Sequence, residues 1–390
     1  MSRFQKLIAI GLPALLLAGC EFGAKEQEQV GYRGLAMVQI ADPDTKAKVG
    51  EVPAPPYELT PDQLEGDKAS AVYQNVQVLG DVSANEFNYL MQAMTNWVAP
   101  DGSNIKDAGC TYCHNPENMA SDEKYTKVVA RKMLLMTRNI NQTWKPHFAG
   151  YAGAEKASAG QENAGVTCWT CHRGKPVPTY NWSTAVPDPG TITGNKRGGN
   201  TPAQTVAYAS LAYDPFTDYI AGKENIRVGG KEFPTKHVVS IQQTEKTYGL
   251  MMHMSQGLGV NCTFCHNSQN FAKWEDSRPQ RVNAWYGIRM VRDINNNYIT
   301  ALGDVWPQNG KGIYGNRRGP HGDPLKVNCA TCHQGVNKPL GGVKMLKDYP
   351  ALKGPYGAAP VTAAAVPAPP AEAPAPVAPV ASAETAKPAA

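Results

Sequence analysis

Four pentapeptides in this chain share one spacing: Cys110-Thr-Tyr-Cys113-His114, Cys168-Trp-Thr-Cys171-His172, Cys262-Thr-Phe-Cys265-His266 and Cys329-Ala-Thr-Cys332-His333. Together they use eight of the nine cysteines. Two thiols so placed, with an imidazole directly after the second, suit thioether bonds to the two vinyl groups of a porphyrin, the histidine ligating its iron. One copy alone would also fit a zinc knuckle or a redox dithiol. Zinc sites built from paired Cys-x-x-Cys do not need the adjacent histidine. Four repetitions, always with that histidine, predict four covalently bound c-type haems.

The ninth cysteine closes a leader. Arg3 and Lys6 precede the apolar or small residues Leu7 to Gly19, and the run ends Leu17-Ala18-Gly19-Cys20. A charged start, a short apolar stretch and a small-residue cleavage site describe an export signal over residues 1–19, too short to span a bilayer comfortably. Its last four residues have the form of a bacterial lipobox, which makes Cys20 the expected site of acylation. The bland alternative is an ordinary signal peptide or uncleaved anchor with a cysteine nearby. More than one acyl chain would hold the protein stably at a membrane, at about 0.8 kcal/mol per buried methylene. Haem attachment to such motifs takes place outside the cytoplasm, so leader and motifs agree.

Removing the leader leaves about 370 residues, room for one large or two medium domains. With 37 Gly and 31 Pro, long irregular connections are expected, and haems would replace much of the missing core. The formal charge of +5 includes Arg3 and Lys6. Without them, and with eight propionates from four ferrous haems, the loaded protein is net negative, which gives a nucleic-acid role no electrostatic support. Residues 356–390 are almost entirely Ala, Pro and Val, a composition that cannot bury a core and reads as a disordered, partly polyproline tail.

The chain between leader and tail is duplicated. Leu90-Met91-Gln92-Ala93-Met94 precedes motif one as Leu250-Met251-Met252-His253-Met254 precedes motif three, and motifs two and four share a following Gly. Met136-Thr-Arg-Asn-Ile-Asn141 matches Met290-Val-Arg-Asp-Ile-Asn295. Each half therefore reads helix, motif, helix, motif. The Gly/Pro/Asn-rich stretch at 187–202 links them, giving expected units of 20–205 and 206–355. Ser83-Ala-Asn-Glu86 has the pattern of a capping box ahead of Phe87, Leu90, Met91, Met94 and Trp97 at helical spacing. Further helices are expected from about Ser121 to Asn141, with Val128, Val129, Met133, Leu134 and Met136 inward, from Thr244 to Gly257, and from Ser277-Pro279 to about Asn297.

Each iron also needs a sixth ligand unless it binds substrate, and a thioether favours the ferrous form. Met91 and Met251 hold the same place in the two halves, with Met94 and Met254 one turn away as rivals; Met133 serves the second motif. The position matching Met133 in the second half is Gly287, so the fourth iron must find another donor. Four histidines lie outside the motifs: His147, His237, His253 and His321.

The chain resembles the tetrahaem cytochrome subunit of purple-bacterial photosynthetic reaction centres. The carrying segments include Ala93-Met-Thr-Asn-Trp97, Val129-Ala-Arg-Lys-Met133, Tyr213-Asp-Pro-Phe-Thr217, Gly259-Val-Asn-Cys-Thr-Phe-Cys-His-Asn267, Gly287-Ile-Arg-Met-Val-Arg-Asp293 and Cys332-His-Gln-Gly-Val-Asn-Lys-Pro-Leu340. The resemblance runs from roughly residue 30 to 354, and departs from the family near Gly102 to Lys106 and Phe148 to Ala164, where this chain has extra residues. It implies a mainly α fold with much irregular structure and a little β, built from two pseudo-repeated dihaem halves. It also implies Met91, Met133 and Met251 as sixth ligands of haems one to three, with His114, His172 and His266 opposite, and His147 opposite His333 on haem four. The implied role is a lipid-anchored electron carrier, not an enzyme, on the periplasmic face of the photosynthetic inner membrane. It would accept electrons from a soluble donor, a small cytochrome c or a high-potential iron–sulfur protein, and re-reduce the bacteriochlorophyll special pair held by the membrane subunits. Arg281, at the place where the first half has Lys127, would raise the potential of haem three if it lay near a propionate; otherwise it is a solvated helix-start arginine. A tetrahaem reductase would need an open iron, and a quinol-oxidising cytochrome would need a transmembrane anchor and bis-His pairs; the Met and His complement favours neither.

Overall fold

The computed structural model describes residues 26–29, 38–41, 51–100, 108–148, 164–184, 214–226, 241–306 and 317–354. The leader with Cys20, the extra residues at 102–106, most of the expansion after Phe148, the linker at 187–202, His237 and the tail from 356 lie outside the described residues.

Among those residues helix dominates. The motifs and the side chains facing them lie on or beside α1 (Ala84–Val98), α2 (Tyr125–Thr143), α3 (Cys168–His172), α4 (Ile241–Leu258), α5 (Gln280–Asp293) and α6 (Cys329–His333). The described strands, β1 (Glu26–Gln29) and β2 (Val38–Ala41), form one antiparallel hairpin with Glu26 opposite Ala41. The mainly helical class with little strand is as the sequence implies. No helix among the described residues is long and apolar enough to cross a membrane.

α1 starts where Ser83-Ala-Asn-Glu86 predicts, but only half of the capping box forms. Ser83 Oγ accepts from the Glu86 N–H at 3.1 Å, whereas the Glu86 carboxylate turns inward and accepts from the backbone N–H of Ala351. Leu90, Met94 and Trp97 are buried, and Phe87 and Met91 half-buried. α2 begins four residues after the expected Ser121, and of its expected inward side chains Leu134 alone is fully buried. Val129, Met133 and Met136 face a cavity instead. α4 starts three residues before the expected Thr244. α5 follows Pro279 as expected and continues through helical turns at Ile294–Ile299 and Thr300–Leu302, past the expected Asn297.

Five polar side chains of α2 are buried where apolar periodicity gives no signal, and three of them, Lys127, Arg138 and Asn141, reach carbonyls of other segments as donors of two or more hydrogen bonds. Lys127 donates to the carbonyls of Met119 and Ser121, each at 2.9 Å. Arg138 donates to Ala351 O at 2.8 Å and Val78 O at 2.9 Å, and pairs with Asp81 at 3.1 Å. Asn141 donates to Val166 O at 2.9 Å and Leu352 O at 2.8 Å. A buried polar group is costly unless bonded, and here the partners are carbonyls of segments with little ladder of their own. One helix thereby pins the loop after motif one, the approach to motif two and the C-terminal segment.

Among the described residues the core divides into three clusters. The first joins Leu79, Val82, Leu90 and Trp97 to Leu340, Met345, Leu346, Tyr349 and Leu352, so the C-terminal segment packs on α1. Tyr349 lies edge-on to Trp97 at 4.6 Å, and Tyr89 Oη donates to Asp348 O at 3.0 Å. Burying apolar side chains of this size contributes about 1.5–3 kcal/mol each. The second cluster gathers Ile140, Trp144, Met290, Ile294 and Trp306 between α2 and α5. The third holds Phe216, Tyr219, Leu250, Ile288 and Val291.

One backbone contact occurs twice. Gly174 N–H donates to Trp97 O at 3.0 Å, and Gly335 N–H donates to Gly257 O at 2.8 Å. Each glycine stands two residues after a motif histidine, and each carbonyl six residues after the paired methionines Met91 and Met251. The close approach demands glycine: at Gly259, φ +64°, a Cβ would stand 2.0 Å from Gly335 O.

Candidate haem-binding sites

None of the eight motif cysteines is paired in a disulfide. Motifs one and three wind as tight turns, Gly109–Tyr112 and Cys262–Phe264, and the histidine N–H of each closes onto the first cysteine's carbonyl, at 3.0 Å for His114 and 2.9 Å for His266. Motifs two and four are the short helices α3 and α6, each ended by a left-handed residue, Arg173 (φ 50°) and Gln334 (φ 51°). Residues three apart on a turn share a face, which sets both thiols of a motif toward one side.

The motif imidazoles are oriented alike. Nδ1 donates to a backbone carbonyl in each: His114 to Met119 O at 2.9 Å, His172 to Lys175 O at 2.8 Å, His266 to Phe271 O at 3.1 Å and His333 to Val336 O at 3.0 Å. A carbonyl only accepts, so the proton sits on Nδ1 and the Nε2 lone pair is left for a metal. The carbonyl lies five residues on in motifs one and three and three residues on in motifs two and four. Burial lowers the His172 and His333 pKa values to about 4, with Arg317 adding to the first and His147 to the second. Burial also lowers that of His266, helped by Arg281. A neutral imidazole is the form that binds iron.

Cavities open beside motifs one and two. A cavity of about 460 Å³ is bounded by Met91, Met94, Cys110, Cys113 and His114. A second, of about 150 Å³, is bounded by Met133, Cys168, Cys171 and His172. Met94 reaches both cavities while Met91 reaches only the first. Met251 and Met254 pack against the third cluster.

At motif four the opposing group is an imidazole. His147 and His333 have ring centroids 6.2 Å apart. Two imidazoles sharing one metal, each bonded at about 2 Å, have ring centres roughly 6 Å apart. His147 Nδ1 donates to Asn283 O at 2.9 Å, which again leaves Nε2 free. A Cβ on Gly287 would stand 2.7 Å from His147 Cε1, so the glycine that replaces a methionine also makes the room for this ring. These donor sets, tautomers and cavities fit covalently held haem.

The sites touch one another. Tyr112 and Cys113 of motif one line the second cavity, and Cys171 Sγ lies 2.7 Å from Cys332 Sγ. Motif two thus stands between motifs one and four. Arg281 donates to Lys273 O at 3.0 Å, Ala272 O at 3.1 Å and Ser277 Oγ at 2.7 Å, and stacks over Trp274 at 4.2 Å. It clamps the loop that orients His266, as Lys127 clamps Met119 O beneath His114. His253 packs against Phe216 at 4.6 Å, and His321 is exposed. Asn283 O and Arg317 carry no signal in the sequence: a backbone acceptor leaves no mark in side-chain identity, and the arginine lies in an irregular segment without periodicity.

Thiol pairs, metal-ready imidazoles and apolar cavities on a mainly helical frame define a cytochrome of the c type, with covalently bound haem. The chain matches the family described as the photosynthetic reaction centre cytochrome C subunit over residues 21–353. Proteins named photosynthetic reaction center cytochrome c subunit are similar to it: 46% identity in Rubrivivax gelatinosus, covering 93% of this chain and 92% of the relative, and 46% in Thermochromatium tepidum, covering 90% and 82%. That of Roseobacter denitrificans is 38% identical and covers 73% of each. The chain belongs to the photosynthetic reaction centre cytochrome c subunit family, whose work is electron transfer to the reaction centre.

Proposed function

We propose that this chain is a tetrahaem electron carrier, not an enzyme, anchored by acylated Cys20 to the periplasmic face of the photosynthetic membrane. It accepts electrons from a soluble periplasmic donor and re-reduces the photo-oxidised special pair. The observation that carries the reading is the shared orientation of the motif imidazoles, each with Nδ1 tied to a carbonyl and Nε2 left for iron. Bound at these sites, haem supplies one-electron Fe(II)/Fe(III) chemistry at a potential set by its axial donors.

The chain's residues then divide the work. His114 with Met91, His172 with Met133, His266 with Met251, and His333 with His147 would hold the four irons. Three thioethers favour the ferrous state, and the His147 imidazole favours it less, so one polypeptide holds unlike potentials. The two glycine contacts, Gly174 to Trp97 and Gly335 to Gly257, support reading the chain as two dihaem halves in which each motif helix is braced by the methionine-bearing helix of its own half. Arg281 adds positive charge beside His266, which disfavours the ferric state of haem three.

The test is a redox titration of membranes combined with saturating flashes. Flash-induced haem oxidation is expected, and deleting this chain should slow re-reduction of the special pair. Haems that stay reduced after saturating flashes would refute the assignment.

A further inference from the structure

Arg317 lines the second cavity together with Tyr112, Met133 and His172. Its side chain is 8% exposed, and its one hydrogen bond among the described residues is from Nη2 to Tyr112 Oη, at 2.8 Å. No carboxylate among the described residues pairs with it. The other cation of this cavity, Lys326, has its charge met by Asp323. A guanidinium withdrawn from water needs an anion, or its desolvation goes uncompensated. Its neutral phenol partner supplies none.

Tyr112 is specific to this arrangement. It is the residue before the second cysteine of motif one, where motif three has Phe264. A ring is wanted at both places; a hydroxyl is wanted only here, where it reaches out of motif one to a guanidinium at the motif-two cavity.

We propose that Arg317 is the counter-cation of a haem-two propionate, positioned by the Tyr112 hydroxyl, and that this pair raises the potential of haem two. The inference rests on the assignment of His172 and Met133 to that haem. A fixed positive charge disfavours the additional charge of ferric iron, so removing it lowers the midpoint. Guanidinium and carboxylate also match in bidentate geometry.

The experiment is a spectroelectrochemical titration of the holoprotein with a marker. Met133→His, by exchanging the soft ligand, identifies the haem-two wave. Arg317→Met should shift that same wave downward by at least a tenfold change in ferrous-to-ferric ratio, which is 59 mV for one electron, leaving the other three in place. Arg317→Lys should restore most of the shift. Tyr112→Phe should lower the same wave by less, and decides the matter if Arg317→Met fails to load haem. The proposal is overturned if Met133→His moves a wave that neither Arg317→Met nor Tyr112→Phe moves, or if these shift another haem. Failure of Met133→His to move any wave would instead overturn the ligand assignment, and the proposal with it.

Discussion

The His147 ring occupies the space that a side chain on Gly287 would fill, with Cε1 2.7 Å from the place of a Cβ there. The two residues are far apart in sequence and lie on different helical segments, Lys145–Phe148 and α5. Asn283 O, one turn before Gly287, fixes the ring's tautomer, and His333 faces it.

Gly287→Ala should therefore unseat this imidazole. Overpacking a tight contact costs about 1–3 kcal/mol, and the ring can relieve it by backing away from His333. The expected outcome is one haem that loses its sixth ligand in part and binds carbon monoxide when reduced, the others unchanged. Carbon monoxide difference spectra read this directly. A variant with four fully six-coordinate haems would show that His147 closes no iron site.

Changing His147 itself separates ligation from packing. His147→Met should raise one haem's potential toward the thioether-ligated range while the other three hold. His147→Ala should leave one five-coordinate or misligated haem. Unchanged spectra and midpoints in both variants would shift attention to His253 and His321.

Glu86 predicts a pH dependence. It is buried, with Oε1 unpartnered, and burial raises its pKa above the ordinary 4.5. With the folded value above the unfolded one, the fold favours the protonated acid. The contribution is complete below about pH 4.5 and is lost as pH rises through the folded pKa. Glu86→Gln keeps an acceptor for Ala351 N–H and should stabilise the holoprotein at pH 7, with little change near pH 4. Thermal melts at both pH values measure this. A lower Tm for the variant at pH 7 would mean that the fold stabilises the Glu86 anion instead of penalising it.

Cys20→Ser should abolish acylation and either release the protein from membranes or leave the leader uncleaved. Mass spectrometry of the native N-terminus checks the premise, and an unmodified start at another residue would end it.

What the sequence determined by itself was local chemistry. The Cys-x-x-Cys-His spacing dictates a covalent haem motif wherever the chain places it, because thiols and imidazole lie within one turn. Helical periodicity likewise marked α1 through Leu90, Met94 and Trp97, and the duplicated Leu250-Met251 segment pointed to α4. The gap at Gly287 was also legible, because a duplicated pattern makes a missing methionine visible. Tertiary structure decided the rest. That Lys127, Arg138 and Asn141 are buried, that Glu86 leaves its capping box for Ala351, and that residues 340–352 pack on α1 all depend on backbone carbonyls and N–H groups far along the chain. Side-chain identity carries no record of such partners. The same holds for His147, whose place opposite His333 was implied by resemblance alone: only packing of Lys145–Phe148 against α5, where Gly287 lacks a Cβ, sets the rings 6.2 Å apart.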